Sequence, residues 1–242
     1  MYTEYIVDQH NSLIDNCHSV EFPDFDQNSP MEIWTYIFDN QMFMNIADSS
    51  DRKRVELIEI ERLKYRASGR AGTTSANFRP PEHLRTDIVA QDIQRFFCFS
   101  LYCMIDKKAN ITEYFSEQLR TSLSKSIYSE KREYTRIRAS FYFPTVANAS
   151  AEYYHIEWFL STLNERFKRM ILSPCHFWAM DESLAQYKGR HGRLVCIKYK
   201  PNPYGFRVFV LNHRLGFAAH LILDFGLNQV GQQTQSEVLQ TD

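Results

Sequence analysis

The sequence predicts an α+β protein, mostly helical over its N-terminal two thirds and ending in an incomplete sheet. Three observations carry this. Apolar residues recur at helical spacing as far as residue 171. After Pro174 the spacing changes to short apolar runs and strict alternation. Gly and Pro, 8 each in 242 residues, are too scarce for a fibrous or low-complexity chain.

The elements follow in order. Residues 1–30 mix acids, Asn, Pro and scattered aromatics, and read as a flexible acidic arm. Pro30 opens a helix with Ile33, Trp34, Ile37, Phe38 and Met42 on one face. A basic segment continues through 55–63 as helix. Residues 68–81 (SGRAGTTSANFRPP) form a loop rich in Gly, Ser, Thr and Pro. Thr86 is a candidate cap for a helix that places Ile93, Phe96, Phe97 and Leu101 inward. Thr112 is positioned to cap a turn at 113–115. Residues 130–141 form a helix with Tyr134, Ile137 and Phe141 aligned. Residues 152–171 form a strongly amphipathic one through Ile156, Phe159, Leu160, Leu163, Phe167 and Met170. Strands are expected at 177–180, 206–211 and 216–225, the last two joined as a hairpin. The domain reading is a helical region over 31–174, a partial sheet domain over 175–226, and a disordered Gln-rich tail over 227–242.

A net charge of −1 conceals a strong asymmetry. Residues 1–51 hold ten acids and no Lys or Arg. Residues 52–85 hold nine bases against four acids, and 183–223 hold seven bases, three His and no acid. Such basic stretches are either solvated helix faces or a polyanion-binding surface. The five Cys are too few and too irregular for a disulfide framework, and none has zinc-ligand spacing, so buried free thiols are expected. The N-terminus lacks the features of a signal peptide, and the most apolar stretch, 88–105, carries Gln91, Asp92, Gln94 and Arg95. An intracellular protein is expected, with no membrane and no small-molecule substrate. No GxSxG, P-loop, HExxH or GxGxxG motif occurs.

Asp181 closes the apolar run 177–180 and leads through Glu182 and Ser183 into Lys188-Gly189-Arg190. A strand-borne carboxylate before a basic stretch suits a metal facing a phosphodiester backbone, since oxygen ligands hold magnesium and cations bind phosphates. The commoner meaning of a lone Asp near Lys and Arg is a surface salt bridge.

The longer string is more specific. AMDESLAQYKGR followed by KYKPNPYGFRVFVLN closely resembles the piggyBac family of DNA transposases. The matching residues are Asp181-Glu182-Ser183, Lys188-Gly189-Arg190, Lys200-Pro201 and Gly205, with Gly216-Phe217 and Asp224-Phe225-Gly226 further on. Tyr114-Phe115-Ser116, residues 129–143 and residues 31–43 resemble upstream family helices, so the likeness spans roughly 30–226. It implies a nuclear cut-and-paste transposase with an RNase H-like catalytic domain, in which three Asp carboxylates bind divalent Mg2+. Asp181 would be the first of the three. The three strands would be the first of that sheet, and 31–174 the dimerisation and DNA-binding portion of a homodimer acting on transposon terminal repeats. Lys188, Arg190, Arg193, Lys198, Lys200 and Arg207 would lie near DNA.

The family's second and third Asp and its cysteine-rich zinc module have no counterpart here. Asp224 matches a non-catalytic position. One carboxylate cannot hold two metals, so the expected reading is a truncated, catalytically incomplete copy. The alternatives are a domesticated DNA-binding or dimerisation regulator without nuclease activity, and a chain active only with a partner's carboxylates. A sheet lacking its fourth strand leaves the Asp181 strand with a bare edge, expected to be covered by the upstream helices or to make the chain poorly soluble.

Overall fold

The computed structural model describes residues 29–68, 77–145, 154–170, 178–187, 189, 194–213 and 218–224. The chain divides into two compact units, residues 34–159 and residues 160–242 together with 1–33.

Helix α1 (Pro30–Ile37) starts on a proline, whose fixed φ and missing N–H suit the first helical position. The pattern expected to run on to Met42 breaks here. Asp39 takes an extended conformation and its side chain accepts the Met42 N–H at 2.8 Å, capping a new helix. That helix, α2 (Asn40–Ala67), is 28 residues long. Its first half buries Met42, Phe43, Ile46 and Ala47. Its second half is solvated and internally paired: Lys53–Glu56 at 2.9 Å, Arg62–Glu59 at 2.8 Å and Lys64–Glu61 at 2.6 Å, each three residues apart. Along this helix the basic excess of 52–85 is thus largely spent on acids of the same face.

Arg54 is the exception, buried to 7% exposure. Its guanidinium binds Asp51 at 2.6 and 3.1 Å, Asp87 at 2.5 Å and the Leu84 carbonyl at 3.0 Å. Asp51 also accepts the Ile88 N–H at 3.0 Å. The charge is therefore compensated inside the fold, and it fixes the segment around the 3-10 turn Glu82–Leu84 to α2.

Helix α3 (Ala90–Ile105) begins four residues after the expected cap Thr86. Val89 occupies the cap position, and Asp92 satisfies its N–H at 3.2 Å. Asp92 also pairs with Arg136 at 2.7 Å, while Arg136 donates to the Asp87 carbonyl at 2.9 Å. This second charged staple draws the chain before Ala90 into the fold, and it overrides the local Thr signal. The inward face turns with it. Ile93 is buried as expected and Phe96 and Phe97 partly so, but Leu101 is 42% exposed, and Phe99 and Tyr102 are buried instead.

Phe99 is the hub of an aromatic core. It meets Tyr114 and Tyr128 edge-on at 5.6 and 5.3 Å, and Tyr134 at 5.2 Å. These geometries add to the area buried. Tyr114 belongs to the 3-10 turn Ile111–Phe115, which Asn110 caps rather than Thr112: its side chain accepts the Thr112 N–H at 2.9 Å. Helix α4 (Ser122–Ile127), unforeseen in the sequence, is a single short turn-and-a-half capped by Thr121. Helix α5 (Lys131–Ser140) buries Ile137 as expected. Burial pushes the phenols of Tyr128 and Tyr134 upward, so both stay neutral. Cys98 lies beside Phe99 on the outer side of α3 and is exposed, as is Cys196, so these two depart from the expected buried thiols. Cys17 and Cys175 lie outside the described residues.

Helix α6 (Tyr154–Met170) covers the expected amphipathic stretch, with Leu163 and Met170 buried. The sheet follows. Strand β1 (Trp178–Gln186) is nine residues long, so Asp181 sits within it and does not end it. Strand β2 (Val195–Cys196) is a two-residue pairing absent from the sequence reading. Strands β3 (Tyr204–His213) and β4 (Ala218–Leu223) form the expected hairpin. All pairings are antiparallel and all are made to β3. β1 lies along one edge of β3, while β2 and then β4 share the other.

The sheet's two outer edges differ. At β4, the Asn164 side chain of α6 binds both backbone groups of Leu221, accepting its N–H at 2.8 Å and donating to its carbonyl at 2.9 Å. At β1, seven of nine residues are exposed. Among the described residues, no helix is long and apolar enough to cross a membrane.

Replacing Arg54 by Met leaves Asp51 and Asp87 without their cation. We expect a loss of roughly 3 kcal/mol in urea denaturation. The Arg54 hydrogen bond holds the Asp51 carboxyl below the usual carboxylate range. A lowered folded-state pKa contributes stability above the unfolded value, so this contribution should fade as the pH falls below about 4. Thermal melts between pH 3 and 7 measure it; a wild-type loss equal to that of Arg54→Met across this window counts against the staple. In the sheet, a Cβ on Gly205 would collide with the Ala185 carbonyl oxygen on β1. Gly205→Ala should cost about 1–3 kcal/mol, read by loss of the sheet's circular dichroism on heating.

Candidate nucleic-acid interface

Alternation along β1 decides which groups can act together. Asp181 pairs in register with Val210, and Ser183 with Val208, so these share one face. Glu182 pairs with Phe209 and Leu184 with Arg207, on the other face. The adjacent carboxylates Asp181 and Glu182 therefore point apart. Asp181 is exposed, and its Oδ1 accepts the Glu182 N–H at 2.8 Å. Among the described residues, no group of three or more His, Cys, Asp or Glu is arranged to hold a metal ion. A pair of divalent ions needs several shared oxygen ligands. Asp181 as placed offers one carboxylate, which does not fit such a centre, so no step through a metal follows from it.

On the opposite face Arg207 is held between two acids. It binds Asp224 at 2.7 and 2.8 Å and approaches Glu182 at 3.8 Å. The Asp224 side chain is only 7% exposed, and its backbone N–H donates to the Arg207 carbonyl at 2.9 Å. Arg207 is thus a structural cation of the sheet. Lys200 donates from Nζ to the Glu182 carbonyl at 2.8 Å and straps the β2–β3 turn to β1. Lys198 is exposed on the same turn. Lys188, Arg190 and Arg193 lie outside the described residues. The expected DNA-facing set therefore divides into Lys198 open, Lys200 and Arg207 engaged within the sheet, and three not described.

Gly189, between Lys188 and Arg190, has a packing role: a Cβ there would collide with the Tyr187 ring. The sequence reading passed over the tyrosines of this end of the sheet. Tyr187 is 43% exposed, Tyr204 59% and Tyr199 98%. The signal was present in the alternation of bases and an aromatic in Lys198-Tyr199-Lys200.

Helices followed by a small antiparallel sheet, with the Asp-Glu-Ser strand at its edge, make an α+β chain. The comparisons agree. A family model described as transposase IS4 matches residues 29–241. The chain belongs to this transposase family, and the piggyBac-like character read from its motifs holds for its fold. The solved cryo-EM structure titled as piggyBac transposase synaptic complex with hairpin DNA superposes with a TM-score of 0.60 at 13% identity. The match covers 86% of this chain and 42% of that one, so the chain spans less than half of that transposase's length. No curated protein matches the sequence.

Two substitutions separate structural from surface roles here. Arg207→Ala removes the ion pair of Asp224 and should destabilise the fold by about 1–3 kcal/mol in chemical denaturation. Asp181→Ala removes an exposed side chain and should change stability by less than about 0.5 kcal/mol. The reverse ranking would place the sheet's internal ion pair at Asp181 instead.

Proposed function

We propose that this chain is a DNA-binding protein of the transposase family that does not cut DNA by itself. The observation that carries the reading is the stretch 183–223, which has seven bases and no acid and runs through the sheet that bears Asp181. Such a stretch attracts the phosphate backbone and releases counterions. Transposon terminal-repeat duplex in chromosomal DNA is the proposed partner, which puts the protein in the nucleus. The DNA-bound state of the structurally similar piggyBac transposase supports this choice. The absence of cleavage rests on the carboxylate at Asp181: with Glu182 turned to Arg207 and no group of three or more His, Cys, Asp or Glu arranged to hold a metal among the described residues, Mg2+ has too few ligands for two-metal hydrolysis.

Fluorescence anisotropy with labelled duplex tests the binding. Affinity should fall steeply between 50 and 200 mM salt, with a log–log slope near −0.9 per phosphate neutralised. Lys198→Glu should weaken binding and flatten the slope by about 1 or more. Salt-independent affinity would contradict the reading. Incubation with Mg2+ or Mn2+ should leave supercoiled DNA intact; nicking that disappears in Asp181→Ala would overturn the non-cutting assignment.

A further inference from the structure

The tyrosines at the Gly205 end of the sheet stand out by their exposure, Tyr199 most of all. Tyr199 is 98% exposed, although burying an aromatic ring is strongly favourable. It is not on a loose loop. Pro201 and Pro203 fix the backbone of its turn, the Ile197 N–H binds the Pro203 carbonyl at 2.8 Å, and the Lys200 N–H binds the Ile197 carbonyl at 3.1 Å. The Lys200 side chain straps the same turn to Glu182 at 2.8 Å. The turn therefore holds a flat, uncovered ring in water beside the exposed ammonium of Lys198.

A cleft of about 290 Å3 lies in the same unit, lined by Tyr187, Tyr204, Leu194, Pro203 and Gln186. Its size is at the lower limit for small-ligand sites. Gly189 leaves room for the far end of the Tyr187 ring, which a Cβ there would push aside. Tyr187 also packs on Phe206 with ring centroids 5.3 Å apart, which steadies one wall. The cluster thus offers one exposed ring next in sequence to the exposed Lys198 and a small cleft with two partly exposed phenol rings.

We propose that this end of the sheet binds unpaired bases of a DNA strand, by stacking on Tyr199 and in the cleft between Tyr187 and Tyr204. The inference rests on the DNA-binding reading and sharpens it. Paired duplex shows phosphates to the lysines but hides its base faces; a strand with extruded bases satisfies both the cations and the rings. Recognition by stacking is tolerant of sequence, because every base has a π-face.

The experiment compares the full chain's affinity for three fluorescent DNAs of equal length: a paired duplex, the same duplex with a two-base bulge, and a single strand. Bulged and single-stranded DNA should bind about tenfold tighter than duplex at the same salt. Tyr199→Ala should reduce that preference several-fold and leave duplex affinity unchanged; Tyr199→Trp should retain it. The nearly complete exposure of Tyr199 makes loss of folding no explanation, and circular dichroism checks this. Tyr204→Ala should lower the preference further. Equal affinity for all three DNAs overturns the inference while leaving DNA binding intact. Preference unchanged in both alanine variants overturns the tyrosine assignment. No binding to any of the three overturns the DNA-binding reading and this inference with it.

Discussion

Every strand of the sheet takes its backbone hydrogen bonds from β3, and this shared dependence fixes the chemistry around it. Because β1 runs antiparallel along nine residues of β3, the register sets which side chains meet. Glu182 is brought to Arg207, Asp181 is sent to the far face, and Gly205 is squeezed between β1 and β2 where no side chain fits. A shift of one residue would exchange the two carboxylates and turn Glu182 away from Arg207. The ion pair with Asp224, which follows β4 directly, locks the same register from the other edge.

The helical unit rests on a different arrangement, buried charge around an aromatic core. Arg54 and Arg136 each join segments distant in sequence through carboxylates and backbone carbonyls. Rings from α3, the 3-10 turn at Ile111–Phe115 and α5 fill the space between them. Arg95 repeats the theme, donating twice to the Ile127 carbonyl while its guanidinium lies over the Tyr128 ring at 4.9 Å. The basic residues of this unit are therefore occupied to a large extent in holding it together.

Periodicity alone revealed the amphipathic α6, the β3–β4 hairpin and the helical core of α5, because burial imposes a visible spacing there. The motif around Asp181 and Gly205 was legible as a family likeness, and the glycines prove to be positions where a Cβ would strike a neighbour. Helix starts were less legible. Asp39 is a local side-chain cap hidden inside an apolar pattern that runs on to Met42, and the start at Val89 is set by the Asp92 side chain, which the cap preference of Thr86 does not encode. The length of β1 was hidden because its residues 181–186, apart from Leu184, are polar or small, and only the partner β3 reveals them as strand. At the site, composition located the basic stretch but not which cations were spent; Arg207 and Lys200 are engaged with neighbours that sequence spacing does not connect.

The two lateral boundaries of the sheet are unequal templates. A side-chain amide that holds both backbone groups of Leu221 replaces a neighbouring strand there, yet it offers no further row of donors and acceptors. Strand addition cannot propagate through it. On the β1 side, among the described residues, the guard is a lysine bonded to one carbonyl, a charge that discourages close stacking. Among the described residues, strand addition therefore meets fewer obstacles beside β1 than at Leu221 of β4.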